Sequence, residues 1–293
     1  MNLPFDRQHV RRAFGRAANG YEAHAVLQEE VQQRLLERLD DHPLAAQRVL
    51  DVGAGTGRGT ALLRKRHPQA QLVALDIALP MLVAARRHRS WRRPFARVCA
   101  DAEALPFADA AFDLVHSNLC LQWCGDLAGV LDGFRRVLRP GGLLLFSTFG
   151  PDTLRELRAA FAEVDDAPHV SRFLDMHPIG DAMLAAGFRD PVLERDHFTL
   201  TYAGALDLMR ELRGLGATNA DPDRLRGLTG RRRLQRVIAA YEAFRVDGRL
   251  PATWEVVYAI ARAPEPGQPR RSGSGEVASF PLEGLRGSRR KLR

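Results

Sequence analysis

Residues Arg48 to Gly59 read RVLDVGAGTGRG, and no other stretch restricts the fold of this chain as tightly. Val49, Leu50 and Val52 make a short apolar run of strand type, Asp51 sets an acid inside it, and glycines follow at 53, 55 and 57. Without a Cβ the chain can turn sharply there and bring backbone N–H groups against a ligand at the start of a helix. A second strand-like run, Gln71 to Leu75, ends in Asp76, about 20 residues beyond the glycines, where an acid in a doubly wound sheet hydrogen-bonds ribose hydroxyls. The pattern predicts a nucleotide-like cofactor.

Up to this point NAD and S-adenosylmethionine both fit. The dinucleotide fingerprint spaces its glycines G-x-G-x-x-G, whereas this chain has G-x-G-x-G with Thr56 interposed. The stretch resembles motif I of the class I methyltransferases, an acid followed by G-x-G-x-G. Three later stretches fall in the order that family requires: Cys99 to Leu105 (CADAEAL), Phe112 to Asn118 (FDLVHSN) and Arg136 to Phe146 (RVLRPGGLLLF). The resemblance implies that Asp51, Gly53, Gly55 and Gly57 hold the cofactor, Asp76 its ribose, Asp101 the exocyclic amine of adenine and Ala102 the ring. Met81, five residues after Asp76, offers a thioether to the adenine or a core side chain, and Asn118 closes the fourth strand at the same end of the sheet.

The pattern alternates strand and helix: strand 49–52, helix 57–66, strand 71–76, helix 79–89, strand 95–99, strand 112–116, helix 126–137 and strand 142–148. Such alternation predicts an α/β fold with right-handed crossovers, here the Rossmann-like class I architecture, a mostly parallel seven-stranded sheet flanked by helices. Ahead of it, residues 1–40 are expected to form a helical cover, with an amphipathic helix from Glu22 to Leu39 and Tyr21 at its start. Strands six (192–202) and seven (254–261) are expected beyond a helix at 177–188, inside a catalytic domain of residues 41–262. Between those two strands, helical patterning over residues 203–250 predicts an insertion of the lid or partner-surface kind. Residues 263–293, rich in Pro, Gly, Ser and Arg, read as a disordered basic tail.

The formal charge of +8 suggests an anionic partner, yet the 43 basic residues include only Lys65 and Lys291 as lysines. An Arg-for-Lys bias of that size, with Ala and Leu abundant, reflects genome composition as much as function. Half of the net charge sits after residue 263, where seven Arg/Lys face three Glu. An acidic protein partner is expected rather than nucleic acid. Cys99, Cys120 and Cys124 are odd in number and read as reduced, buried thiols. The first residues lack a signal-type apolar segment, and no run approaches the ~20 residues that span a bilayer. A soluble, cytoplasmic protein is expected.

The fold leaves the acceptor open. Ser117 to Gly125 (SNLCLQWCG) lacks the N-P-P-Y motif of many amino-methylating relatives, and its Gln122 and Trp123 fall where the fold places groups facing the transferred methyl. That segment, with FGRAA at 14–18, Tyr21, FSTFGPDTLRELR, the stretch from His169 to Asp181, LRGLGATNA and PATWEVVY, resembles the malonyl-acyl-carrier-protein O-methyltransferases of biotin synthesis, over nearly the whole chain to residue 262. The resemblance implies methylation of the free carboxylate of a malonyl thioester, on a carrier protein or coenzyme A. It further implies that Tyr21, Gln122 and Trp123 position the acyl end, that Arg213 clamps the carboxylate, and that Arg210, Arg224, Arg226 and Arg231 to Arg233 dock an acidic carrier. An ionised carboxylate needs neither a general base nor a metal, and the sequence carries no H-E-x-x-H, Cys/His cluster or nucleophile elbow. The alternatives are an arginine-modifying, assembly-factor-like relative, which calls for an acidic pocket in place of Arg213, and a nucleic-acid-binding protein.

Overall fold

The computed structural model describes residues 5–224, 227, 230–265, 270–272 and 275–277. Seven strands, β1 (Arg48–Val52), β2 (Gln71–Asp76), β3 (Ala96–Cys99), β4 (Phe112–Asn118), β5 (Leu138–Phe149), β6 (Arg189–Tyr202) and β7 (Leu250–Arg262), form one sheet in the order β3-β2-β1-β4-β5-β7-β6. The first five run parallel, and β7 lies antiparallel to both β5 and β6. The sheet is therefore mixed, with one reversed strand. Strand order turns back between β1 and β4, so a crevice opens at their carboxyl ends.

Alternate strand residues face opposite sides and fill two cores. Val49, Leu114 and Leu145 point to one side, with Val31 and Leu35 of α2 (Val26–Glu37) and Val237 and Tyr241 of α9 (Arg231–Glu242). Leu50, Val115 and Phe146 point to the other, with Phe134 of α5 (Leu127–Val137) and Met183 of α7 (Met176–Ala185). Central β5 and β7 are buried along almost their whole length, whereas edge strand β6 alternates half-buried and exposed residues.

The N-terminal cover consists of α1 (Arg7–Ala17), a single 3-10 turn at Tyr21–Ala23 and then α2. The first long helix thus starts later than its apolar stripe suggests, because Ala25 precedes it without a side-chain cap. α3 (Arg58–Arg66) follows β1, α4 (Leu79–Ala84) follows β2 and relaxes to a 3-10 turn over Ala85–His88, and α6 (Arg155–Ala162) follows β5. Strands β6 and β7 form one long hairpin whose register closes at Tyr202↔Leu250, so the expected insertion emerges from its tip. It carries α8 (Ala205–Gly214) and α9, which packs on α6. Within the tail expected to be disordered, Ala263 is buried and its backbone pairs with Gly141 and Gly142 at the end of the sheet, and β8 (Arg270–Ser272) and β9 (Gly275–Val277) pair antiparallel, since a backbone ladder asks for no apolar side chains; residues 266–269, 273–274 and 278–293 lie outside the described residues. Among the described residues no helix is long and apolar enough to cross a membrane.

Candidate active site

The turn after β1 supplies the floor. Gly53, Gly55 and Gly57 all have positive φ (70°, 53° and 78°), a conformation that only glycine takes without strain. Their surroundings separate their roles. A Cβ on Gly53 would meet Cys120 at 2.5 Å and one on Gly57 would meet the Cβ of Ala85 at 2.8 Å, but one on Gly55 would meet no atom within 4 Å. Gly55 faces open space that a ligand can fill. Gly57, expected among the cofactor contacts, instead permits the close approach of α3's first turn to Ala85 and does not line the cavity.

Asp76, at the end of β2, is buried, and its two oxygens accept from Gly55 N–H (2.9 Å) and Ala78 N–H (2.8 Å). Burial pushes its carboxyl up to about 6, with Asp51's charge adding to the rise and the two N–H groups opposing it. Asp51 is engaged inward: Oδ1 accepts from His116 Nδ1 (2.8 Å), Oδ2 accepts from the Thr60 hydroxyl, and Gln32 on α2 reaches His116 Nε2 at 3.0 Å. This buried chain fixes α2 and α3 to the ends of β1 and β4. The acid of motif I is therefore bonded to β4 and α3, and it also borders a cavity.

Above the floor lies a cavity of about 740 Å³, bounded by Gly53, Gly55, Asp76, Met81, Asp101, Ala102 and Asn118, which brings together most of the residues expected to hold cofactor. Met81 is buried against Ala17, Ala18 and Ala78, so its core and cavity roles coexist. Asn118 is tied down on both sides: its amide donates to Gln28 O (3.0 Å) and its Oδ1 accepts from the Ser147 hydroxyl (2.7 Å). A second, wider cavity of about 1170 Å³ shares Tyr21, Gly53, Gly55 and Asn118 and continues over Asp51, Gln28 and Glu29. Tyr21 stands at the junction of the two. Its hydroxyl has no hydrogen-bond partner among the described residues, and burial first, then the charge of Asp76, raises its pKa well above the usual phenol range.

The cover contributes more than the sequence suggested. Arg7, Val10 and Phe14, at i, i+3 and i+7 on α1, all line the first cavity. Arg7 donates to Asp101 (3.2 Å) and to Glu103, latching α1 to the loop after β3. Phe14 meets Trp123 edge-on at 5.3 Å. Residues 7, 10 and 14 carry a helical-face signal in the sequence, but only the fold shows what that face covers. The cysteines differ from expectation: Cys99 is exposed, and half-buried Cys120 and Cys124 line the cavity beside the glycine turn.

The residues expected at the acyl end separate. Trp123 lines the cofactor cavity. Gln122 turns away from it into an adjoining cleft of about 430 Å³ with Phe5, Thr148 and Phe173, held because its amide donates to Leu119 O (2.8 Å). Arg213 lines neither; it lies beyond α1, in a basic pocket with Arg16, His24 and Arg210. The expected docking arginines are partly neutralised: Arg210 pairs with Asp207, Arg224 with Asp6 and Arg233 with Asp165. Arg231 and Arg232 are exposed on α9, and Arg226 lies outside the described residues. Elsewhere, Asp152, His197 and Glu255 bring possible ligand atoms within 4.8 Å of one another, but Arg195 stands 3.7 Å from Glu255 Oε1 and Asp152 N–H donates to Oε2, so the buried carboxylate already has its counter-charge.

These donors suit S-adenosylmethionine. Gly55 leaves its Cβ space empty, a buried carboxylate lies beside it for ribose, and aromatic walls stand near for a sulfonium. A family model described as a methyltransferase domain matches residues 50–146. The malonyl-[acyl-carrier protein] O-methyltransferase of Xylella fastidiosa (strain M23) is 54% identical over 287 residues, 97% of this chain and 97% of its own. The protein of the same name from Methylovorus sp. (strain MP688) is 52% identical over 266 residues, 89% of this chain and 90% of its own. Among solved structures, Haemonchus contortus phosphoethanolamine N-methyltransferase 2 in complex with S-adenosyl-L-methionine superposes with a TM-score of 0.53 at 19% identity, covering 85% of this chain and 57% of that one. The YcgJ protein of Bacillus subtilis does so at 0.56 and 17%, covering 79% and 98%. At such identities these two speak for the fold alone.

Proposed function

The chain belongs to the malonyl-[acyl-carrier protein] O-methyltransferase family of class I methyltransferases, and from that premise we propose that it methylates the free carboxylate of malonyl-acyl-carrier protein, opening the route to the pimeloyl chain of biotin. The observation that carries this reading is the extent of the similarity. It spans 97% of the chain and so includes the N-terminal cover and the insertion, which binding of S-adenosylmethionine alone does not explain.

S-adenosylmethionine, when bound, supplies a methyl group on a positively charged sulfur. A malonyl carboxylate is ionised at neutral pH, so its oxygen forms the new O–CH₃ bond as the S–CH₃ bond breaks, and the bonding pair stays on sulfur. The chain's task is alignment and exclusion of water. Asp76 and the glycine turn hold the ribose side, while Met81, Asp101 and Ala102 hold the adenine side. Tyr21, kept protonated, donates its free hydroxyl to the incoming carboxylate and orients it without neutralising it. Phe14 and Trp123 close the wall. In this reading Gln122 guides the acyl arm from the adjoining cleft, and Arg213 engages an anionic part of the acceptor away from the methyl instead of clamping the malonyl carboxylate.

Residues 1–40 serve as cover, 41–262 as the catalytic domain and 203–250 as the surface that meets the carrier. No metal takes part, nucleic acid is not a partner, and the enzyme works in the cytoplasm. A chemical test separates the readings. Methyl label transferred to malonyl-carrier protein is expected to leave as methanol in mild alkali, as an ester must; label stable to alkali would overturn carboxylate methylation.

A further inference from the structure

The pocket containing Arg213 is lined by basic and small residues. It measures about 880 Å³ and lies between α1, the 3-10 turn and α8. Its floor is made of small residues, including Ala13, Ala17 and Gly216, and its rim carries Arg16, His24 and Arg213. Gly214 lets the ring of His24 pack against α8, because a Cβ there would collide with that ring. Gly216, at φ 73°, acts in the same sense, since a Cβ there would stand 3.0 Å from Ala13 O. Small residues therefore shape the space.

The charge balance is equally specific. Among the described residues no carboxylate lines this pocket and the side chains of Arg16 and Arg213 make no ion pair, although Arg210 beside them, and Arg224 and Arg233 elsewhere in the insertion, each have an acidic partner. Two unpaired guanidiniums facing one concavity make a site for an anion with several acceptor oxygens. α1 is the partition. Its Val10 and Phe14 face the cofactor cavity, while Ala13, Arg16 and Ala17 face the basic pocket. One helix, about 10–12 Å across with its side chains, separates the two. An acceptor that uses both must be long, flexible, reactive at one end and anionic at the other.

Building on the proposed function, we propose that this pocket binds the phosphate of the acceptor's prosthetic arm, with Arg16 and Arg213 holding its non-bridging oxygens and the thioester arm passing around α1 to the methyl. The phosphate is shared by a carrier protein's phosphopantetheine and by coenzyme A, so the pocket recognises the arm and not the protein that bears it.

The test compares two small acceptors, malonyl-phosphopantetheine and malonyl-pantetheine, in wild type, Arg213→Gln, Arg16→Gln and Arg213→Lys. Wild type is expected to favour the phosphorylated acceptor by at least about tenfold in kcat/KM, since charge-assisted hydrogen bonds contribute that much or more. The two glutamine variants should bring the ratio towards one and Arg213→Lys should restore part of it. Malonyl-carrier protein and malonyl-coenzyme A should both lose activity in the glutamine variants. An unchanged ratio, or a loss confined to the whole carrier protein, would overturn the proposal in favour of contacts with the carrier's own acidic surface. Phosphopantetheine binding, followed by calorimetry, keeps the two readings apart. Binding lost in Arg213→Gln but with no turnover of any malonyl thioester by wild type would support the pocket and reject the carboxylate reaction; no binding to wild type would reject the pocket.

Discussion

Asp76 and Tyr21 carry the two decisive chemical properties of the site, and both follow from burial. The Asp76 carboxyl, raised to about 6, has a folded-state pKa above its unfolded value, so the native chain binds this proton more tightly than the unfolded one. The unliganded protein should therefore gain stability from this group as pH falls through about 6, while cofactor affinity moves the opposite way, because a protonated acid accepts fewer ribose hydrogen bonds. The cofactor dissociation constant is expected to rise about tenfold between pH 7.5 and 5. Asp76→Asn should bind weakly at both values with the slope removed, and calorimetry at the two pH values checks both outcomes. For Tyr21→Phe, loss of the hydroxyl proposed to orient the carboxylate should lower kcat about 10- to 100-fold and leave cofactor affinity within about twofold. A parallel loss of cofactor binding would place the hydroxyl on the cofactor instead.

At the scale of elements, the two glycines beyond Gly53 predict different phenotypes. Gly57→Ala forces a side chain into a left-handed backbone and against Ala85, and should cost about 1–3 kcal/mol of stability by denaturant unfolding. Gly55→Ala carries the same left-handed strain at φ 53° but meets no neighbour, so it should cost less stability than Gly57→Ala and its larger effect should fall on cofactor affinity. The sequence carried β1 and β2 to within a residue because their apolar runs are largely buried, whereas β6 and β7 start three and four residues earlier than expected, as their hairpin pairing extends past the apolar runs. β5 begins at Leu138, earlier than expected, since Pro140-Gly141-Gly142 reads as a turn yet is a bulge within the strand, between Phe112↔Leu138 and Leu114↔Leu143. That most of the residues expected to hold cofactor border one cavity was legible, because their order along the chain follows from strand ends. The destinations of Gln122 and Arg213 were not: a strand-end position does not say into which of two adjoining spaces a side chain turns, and an arginine among 41 carries no local signal of its partner.

Across the whole molecule, one sheet joins a cover and an insertion that meet at α1. The cover reaches the adenine side through Arg7 and Asp101, and the insertion brings Arg213 to the opposite flank of the same helix. Much of the net charge lies elsewhere. Half of it belongs to the tail, and many body arginines are spent on ion pairs, such as Arg139 with Asp113 and Arg34 with Asp196. That distribution leaves the basic pocket as a local feature and does not make the body a general polyanion binder. The most direct measurement is mass spectrometry of the purified chain with S-adenosylmethionine and, in parallel, malonyl-carrier protein, malonyl-coenzyme A and acetyl-carrier protein. A gain of one methyl on the malonyl thioesters, and none on the acetyl one, is the expected result, because only malonyl offers a free carboxylate. No gain on either malonyl thioester, with the cofactor demonstrably bound, would contradict the account and direct the search to an amine or guanidinium acceptor.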